Sequence, residues 1–140
     1  MVDKSKIAEQ FIQALPHARA LAMNFVSIGE GSAGISMPYD RQLIGDPETG
    51  VISGGAVSAL LDTCCGAAVL AHPEAPARTA TMDLRIDYMR AATPGQTITA
   101  HAEVYHMTRT VAFLRARAFD EDAENPVATA TGAFTVEHKL

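Results

Sequence analysis

The sequence predicts an α+β fold in which a curved antiparallel β-sheet wraps around one long buried central helix. Three observations carry this reading. Residues 53–71 form one apolar run with a single charged side chain, Asp62. From residue 80 onward the apolar period changes from helical to alternating. The alternating segments are separated by short turns, so neighbouring strands should pair antiparallel as a meander.

The elements follow in chain order. From about Asp3 to Leu15 a short N-terminal helix is predicted, because Ile7, Phe11, Ile12 and Leu15 recur at helical spacing. Pro16 is expected to stop it. Phe25 to Met37 is weakly strand-like and interrupted by Gly29, Gly31 and Gly34, and Leu43 to Gly50 carries the Gly, Asp and Pro of a loop. The apolar helix should start near Gly54-Gly55 and end before Pro73. It is apolar nearly all round, so it needs cover on nearly all sides. In residues 80–90, Met82, Leu84, Ile86 and Tyr88 face one way and Thr81, Asp83, Arg85 and Asp87 the other, the pattern of a half-buried strand. Thr93-Pro94-Gly95-Gln96 is a turn. Strands are expected over Thr97–Met107, Val111–Phe119 and Val127–Glu137.

Length and composition bound the rest. The 140 residues, read as residues 1–140, suit one domain, and 48% hydrophobic with 19% charged residues is the composition of a folded chain. Eleven basic against 16 acidic residues give a net charge of -5, which argues against nucleic acid as a partner. A local basic patch for a cofactor's phosphates is compatible with that charge. The N-terminal residues carry mixed charges and no apolar run, so no secretory signal is expected and a cytoplasmic location is. The 19 residues from Ser53 to Ala71 are rich in Ala, Gly, Ser and Cys around a central carboxylate, which suits a buried soluble helix rather than a membrane span. Cys64 and Cys65 are adjacent, neither a structural disulfide nor a metal pair by spacing, and no His shares their helix to activate a thiol. His17, His72, His101, His106 and His138 show no ligand spacing, so no metal is expected, and no phosphate-binding glycine motif is present.

Asp62 is the most informative residue. A carboxylate in an apolar helix is either paired or chemically active, because an uncompensated one costs several kcal/mol. It could hydrogen-bond a backbone amide, or pair with Arg85 or Arg115 from the sheet. It could also act as general base or nucleophile. Gly54-Gly55 favours chemistry: glycines at a helix entry let a substrate approach, and the first free N–H groups can receive an oxyanion. Read without Asp62, the same pair is a tight helix entry. Arg90 and Arg109 flank turns and are candidates to meet a ligand's phosphates, although exposed arginines are usually just solvated.

The run TGVISGGAVSALLDTCCGAAV, residues 49–69, resembles the central motif of the PaaI-like hotdog-fold thioesterases, G-x-x-H-G-G followed by a helix carrying Asp or Glu. TMDLRIDYMR with the Pro94-Gly95 turn resembles that family's next segment, and the order of elements agrees over nearly the whole chain. The resemblance implies a hotdog fold and hydrolysis of an acyl-CoA, aryl or aliphatic, with no cofactor beyond the coenzyme A of the substrate. By position it makes Asp62 the catalytic carboxylate, Gly54 the oxyanion donor and Thr81 a holder of the nucleophilic water. Ser53 takes the place of the motif's His, and Gly55 completes it as a substrate-binding position. Pro47 stands where relatives carry Asn, with Asp46 beside it as a candidate substitute. The resemblance also implies a homodimer, or a homotetramer built of two dimers, with the site at the subunit interface. The alternative is an acyl-CoA or fatty-acyl binding protein that lost its chemistry with the His-to-Ser change. Hydration of enoyl thioesters ranks last, because no His follows Asp62 until His72.

Overall fold

The computed structural model describes residues 4–139. Helix α1 (Lys4–Ala14) confirms the N-terminal stripe, with Asp3 lying outside the described residues. As expected, α1 stops before Pro16, and the proline itself opens a second, short helix, α2 (Pro16–Ala20). Proline fits the first position of a helix, where its missing N–H has no partner to lose. The glycine-interrupted stretch is two strands, β1 (Asn24–Gly29) and β2 (Ser32–Met37), joined as a hairpin. The expected loop at 43–50 carries more order: a 3-10 turn, η1 (Arg41–Leu43), then a small hairpin of β3 (Ile44–Asp46) and β4 (Val51–Ile52).

Helix α3 (Gly54–Leu70) forms where the apolar run predicts it. Four longer strands follow: β5 (Thr81–Tyr88), β6 (Ile98–Met107), β7 (Val111–Phe119) and β8 (Ala128–Thr135). Alternation decides their faces. Ile98, Ala100 and Ala102 of β6 and Ala112, Leu114 and Ala118 of β7 are fully buried against α3 and its neighbours. Small residues on that inner face let the helix lie close to the sheet.

The meander expectation holds only for β6, β7 and β8. The sheet order is β1-β2-β6-β7-β8-β5, all neighbours antiparallel, so β5 lies at an edge against β8 and not beside β6. The chain must therefore cross the end of the sheet in residues 89–97. That crossing is fastened to the turn after β7. Arg90 donates to both carboxylate oxygens of the buried Asp120 at 2.8 and 2.7 Å and to the Asn125 carbonyl at 2.9 Å, while the Thr93 N–H reaches Asp120 at 3.0 Å.

Breaking this pair should be the most damaging surface-loop change. Arg90→Ala leaves a buried carboxylate without its cation, a loss of about 3 kcal/mol, so thermal denaturation should show Tm lower by roughly 10 °C. The guanidinium first, helped by the Thr93 and Asp122 N–H groups, holds the Asp120 carboxyl well below the usual carboxylate range. A depressed carboxylate stabilises the fold above its unfolded value of about 3.9 and loses that contribution as pH falls through the lowered folded value. The gap between wild type and variant should therefore be full at neutral pH and close progressively below about pH 4.

Candidate active site

Helix α3 is not covered on all sides. Ala56, Val57, Leu60, Leu61, Cys64, Cys65, Ala68 and Val69 are buried, while Gly54 and Gly55 are exposed and Ser58, Ala59, Asp62 and Thr63 are half-buried. These residues recur at helical spacing and form one open stripe along the helix. Asp62 is therefore not sealed in the core. It sits on the only acidic position of a stripe that the chain itself leaves open.

Edge strand β5 lies beside that stripe. Thr81 stands opposite Phe134 in β8, but Asp83 stands opposite Ala133, so Met82 is an extra residue in the pairing. This bulge reverses the alternation for the residue before it. Thr81 joins the inner face with Leu84 and Ile86, although simple parity would put it outside with Asp83 and Arg85. Its hydroxyl donates to Asp62 Oδ1 at 2.6 Å. A carboxylate oxygen fixed by a hydroxyl leaves the second oxygen free to receive a proton.

The other end of β5 holds the start of the helix. Tyr88 donates its hydroxyl to the Gly54 carbonyl at 2.8 Å. Its ring crosses so near that a Cβ on residue 54 would lie 3.3 Å from a ring carbon, so glycine here serves the contact between strand and helix. Tyr88 is a residue that pattern reading places on the strand but not at the site. Its position in the alternation was the available signal; its reach to Gly54 depends on the β5–α3 geometry.

Ser53 is the N-cap of α3: its Oγ accepts the Gly55 N–H at 3.2 Å, and its carbonyl accepts from Ala56 at 3.1 Å. The Gly54 N–H has no partner among the described residues and points out of the helix end, whereas that of Gly55 is committed to the cap. The hairpin β3–β4 presses Gly45 onto Ser53, where any Cβ would come within 2.8 Å of the Ser53 Cα. Asp46 is turned inward to that hairpin. Its carboxylate accepts from Thr49 Oγ1 at 2.7 Å and from the Glu48 N–H at 3.1 Å, and the Thr49 hydroxyl, with the Glu48 N–H, holds its carboxyl below the usual range. Asp46 thus builds the turn that contains Pro47.

A cleft of about 380 Å³ opens beside the cap, with Leu43, Ile44 and Ala59 as apolar wall and Ser53, His17 and Gln42 as polar rim. His17 and Gln42 were invisible as site residues in the sequence, since helix α2 and the 3-10 turn bring them there from distant segments. The Arg90 guanidinium is occupied by both carboxylate oxygens of Asp120. Cys64 and Cys65 are core residues, and burial pushes both thiols up, Cys64 to about 12. Among the described residues no group of three His, Cys, Asp or Glu side chains converges as a metal site, and no helix is long and apolar enough to cross a membrane.

A six-stranded antiparallel sheet around a helix with a carboxylate on its open stripe is the hotdog architecture, and comparison with known proteins agrees. Residues 49–127 match the model of the Thioesterase superfamily, and the chain belongs to that family of thioester hydrolases. It is similar to the medium/long-chain acyl-CoA thioesterase YigI of Escherichia coli K12, at 24% identity over 93% of this chain and 91% of the relative. Among solved structures, a Pseudomonas aeruginosa protein superposes with a TM-score of 0.85 at 35% identity, covering 95% of this chain and 98% of that one. The Escherichia coli PaaI protein of the phenylacetic acid degradation operon shares the fold, with a TM-score of 0.80 at 23% identity over 96% of each chain.

Proposed function

We propose that the chain hydrolyses acyl-CoA thioesters, with Asp62 as general base and the Gly54 N–H as oxyanion donor. The observation that carries this reading is the Thr81–Asp62 hydrogen bond on the open stripe of α3. It fixes a carboxylate where a substrate can reach it. Asp62 takes a proton from a water as that water's oxygen bonds to the thioester carbon. The C–S bond then breaks, the proton passes to the departing sulfur, and the free acid and coenzyme A leave.

Geometry within one chain argues for a second copy. Gly54 and Asp62 are eight residues apart on α3, about 12 Å along the axis at about 1.5 Å per residue. An attacking water and an oxyanion contact each span only about 3 Å, so one copy's Gly54 and Asp62 do not serve one carbonyl. Edge strand β5 has an unpaired side, and its neighbourhood exposes Met82, Tyr88 and Met89. An unprotected edge with large apolar residues suits pairing with a second β5. A homodimer formed this way joins Asp62 of one protomer to the helix entry of its partner. The name of the YigI relative supports aliphatic acyl groups, and that of PaaI keeps aryl groups within the range tested.

The test is a thiol-release screen over acyl-CoAs of different chain length and aromaticity, with Asp62→Asn as control. Turnover that vanishes in the control supports the reading. Tight acyl-CoA binding with no thiol released from any member would replace the hydrolase with a binding protein.

A further inference from the structure

Three of the chain's five histidines meet in one place. His72, at the C-terminal end of α3, His106, on β6, and His138, near the chain's end, line a cleft of about 470 Å³ together with Arg109 and Glu74. His138 Nε2 lies 3.2 Å from the Arg109 carbonyl, which ties the C-terminal segment to the β6–β7 connection. A second cleft shares His138 and adds Arg78 and Lys139, with Glu137 beside them. Three permanent cations and three imidazoles thus surround two carboxylates, at one end of a molecule whose net charge is -5. The guanidinium groups of Arg78 and Arg109 make no side-chain ion pair or hydrogen bond among the described residues, unlike Arg90. Tyr105, 47% exposed, adds an aromatic ring to the wall.

We propose that this cleft binds the phosphorylated adenosine end of coenzyme A; the inference rests on the acyl-CoA reading above. The chemistry fits a multiply charged phosphate ester beside an aromatic base: arginine forks match phosphate oxygens, His72 and His106 can each donate a ring N–H while that of His138 is committed to the Arg109 carbonyl, and the tyrosine offers a ring. Two chain paths link the cleft to the carboxylate. His72 lies ten residues beyond Asp62, about 15 Å along the helix direction at about 1.5 Å per residue. Arg78 precedes Thr81 by three residues of extended backbone held against residues 135–137, roughly 10 Å at about 3.3 Å per residue. Coenzyme A has the same layout, a thioester separated from its phosphates by the long pantetheine arm.

The experiment compares an acyl-CoA with the same acyl group on N-acetylcysteamine, which lacks the nucleotide, in wild type, Arg109→Gln and Arg78→Gln. Each variant should raise KM for the acyl-CoA about tenfold, with kcat little changed, and leave the truncated thioester's kcat/KM as in wild type. Equal losses on both substrates, or no loss on either, would overturn the assignment. Direct titration with adenosine 3′,5′-bisphosphate decides the site separately from hydrolysis. Binding weakened about tenfold by Arg109→Gln supports it even in a protein that releases no thiol, and wild-type binding that the substitution leaves unchanged rejects it.

Discussion

Asp62→Asn should lower thiol release by roughly a thousandfold while leaving the protein folded. The substitution keeps the shape and one oxygen of the side chain, so the Thr81 hydroxyl retains an acceptor at the same place. The stability change should stay within about 1 kcal/mol, because one charge-assisted hydrogen bond becomes a neutral one. What disappears is the lone pair that takes the proton from water. Steady-state kinetics with a saturating acyl-CoA should show the loss in kcat, with binding of substrate kept. Thermal denaturation of the same preparation separates chemistry from folding. If the variant turns over at the wild-type rate, the carboxylate is a structural partner of Thr81 and another group drives the attack.

Thr81 explains why sequence reading reached this residue only halfway. Asp62 stands out because no other side chain between Ser53 and Ala71 is an acid or base of the Asp, Glu, Lys, Arg or His kind, and a helix with that one exception is legible from composition. The strands were legible for a similar reason, since alternation is a local pattern. Neither the edge position of β5 nor its bulge is local. Both depend on which strand pairs with which, and residues 89–97 carry the chain past its sequence neighbour without any change in alternation. The bulge at Met82 then turns Thr81 inward, a shift of one residue that reverses the face. The same holds for Arg90, which reads as an exposed arginine until Asp120, thirty residues away, is folded against it.

Ser53 shows the reverse case, where a residue weighed for chemistry has a mechanical role as well. As the helix cap it accepts the Gly55 N–H, which settles which of the two glycine amides is left over. A cap of this kind also fixes the direction of the first turn, and Tyr88 holds the same turn from the strand side through the Gly54 carbonyl. The free amide is thus gripped from two directions. Rigid placement matters for an oxyanion donor because a dipole already oriented needs no reorganisation as charge develops.

Substitution at Gly54 can remove that donor without removing the helix. Gly54→Pro deletes the N–H at the first helical position, where proline is well tolerated. Ser53 already has the extended backbone, φ -57° and ψ 137°, that a residue before proline requires. The steric cost is shared with Gly54→Ala, whose Cβ also meets the Tyr88 ring at 3.3 Å, so alanine is the matched control. Alanine should keep activity within about tenfold of wild type, the loss reflecting a small displacement of Tyr88 or of the helix entry. Proline should fall a further hundredfold or so in kcat, the effect of losing one oxyanion donor. Circular dichroism should show both variants helical. Equal activity in the two would mean that the Gly54 amide does not face the developing charge, and that the glycine is there for Tyr88 alone.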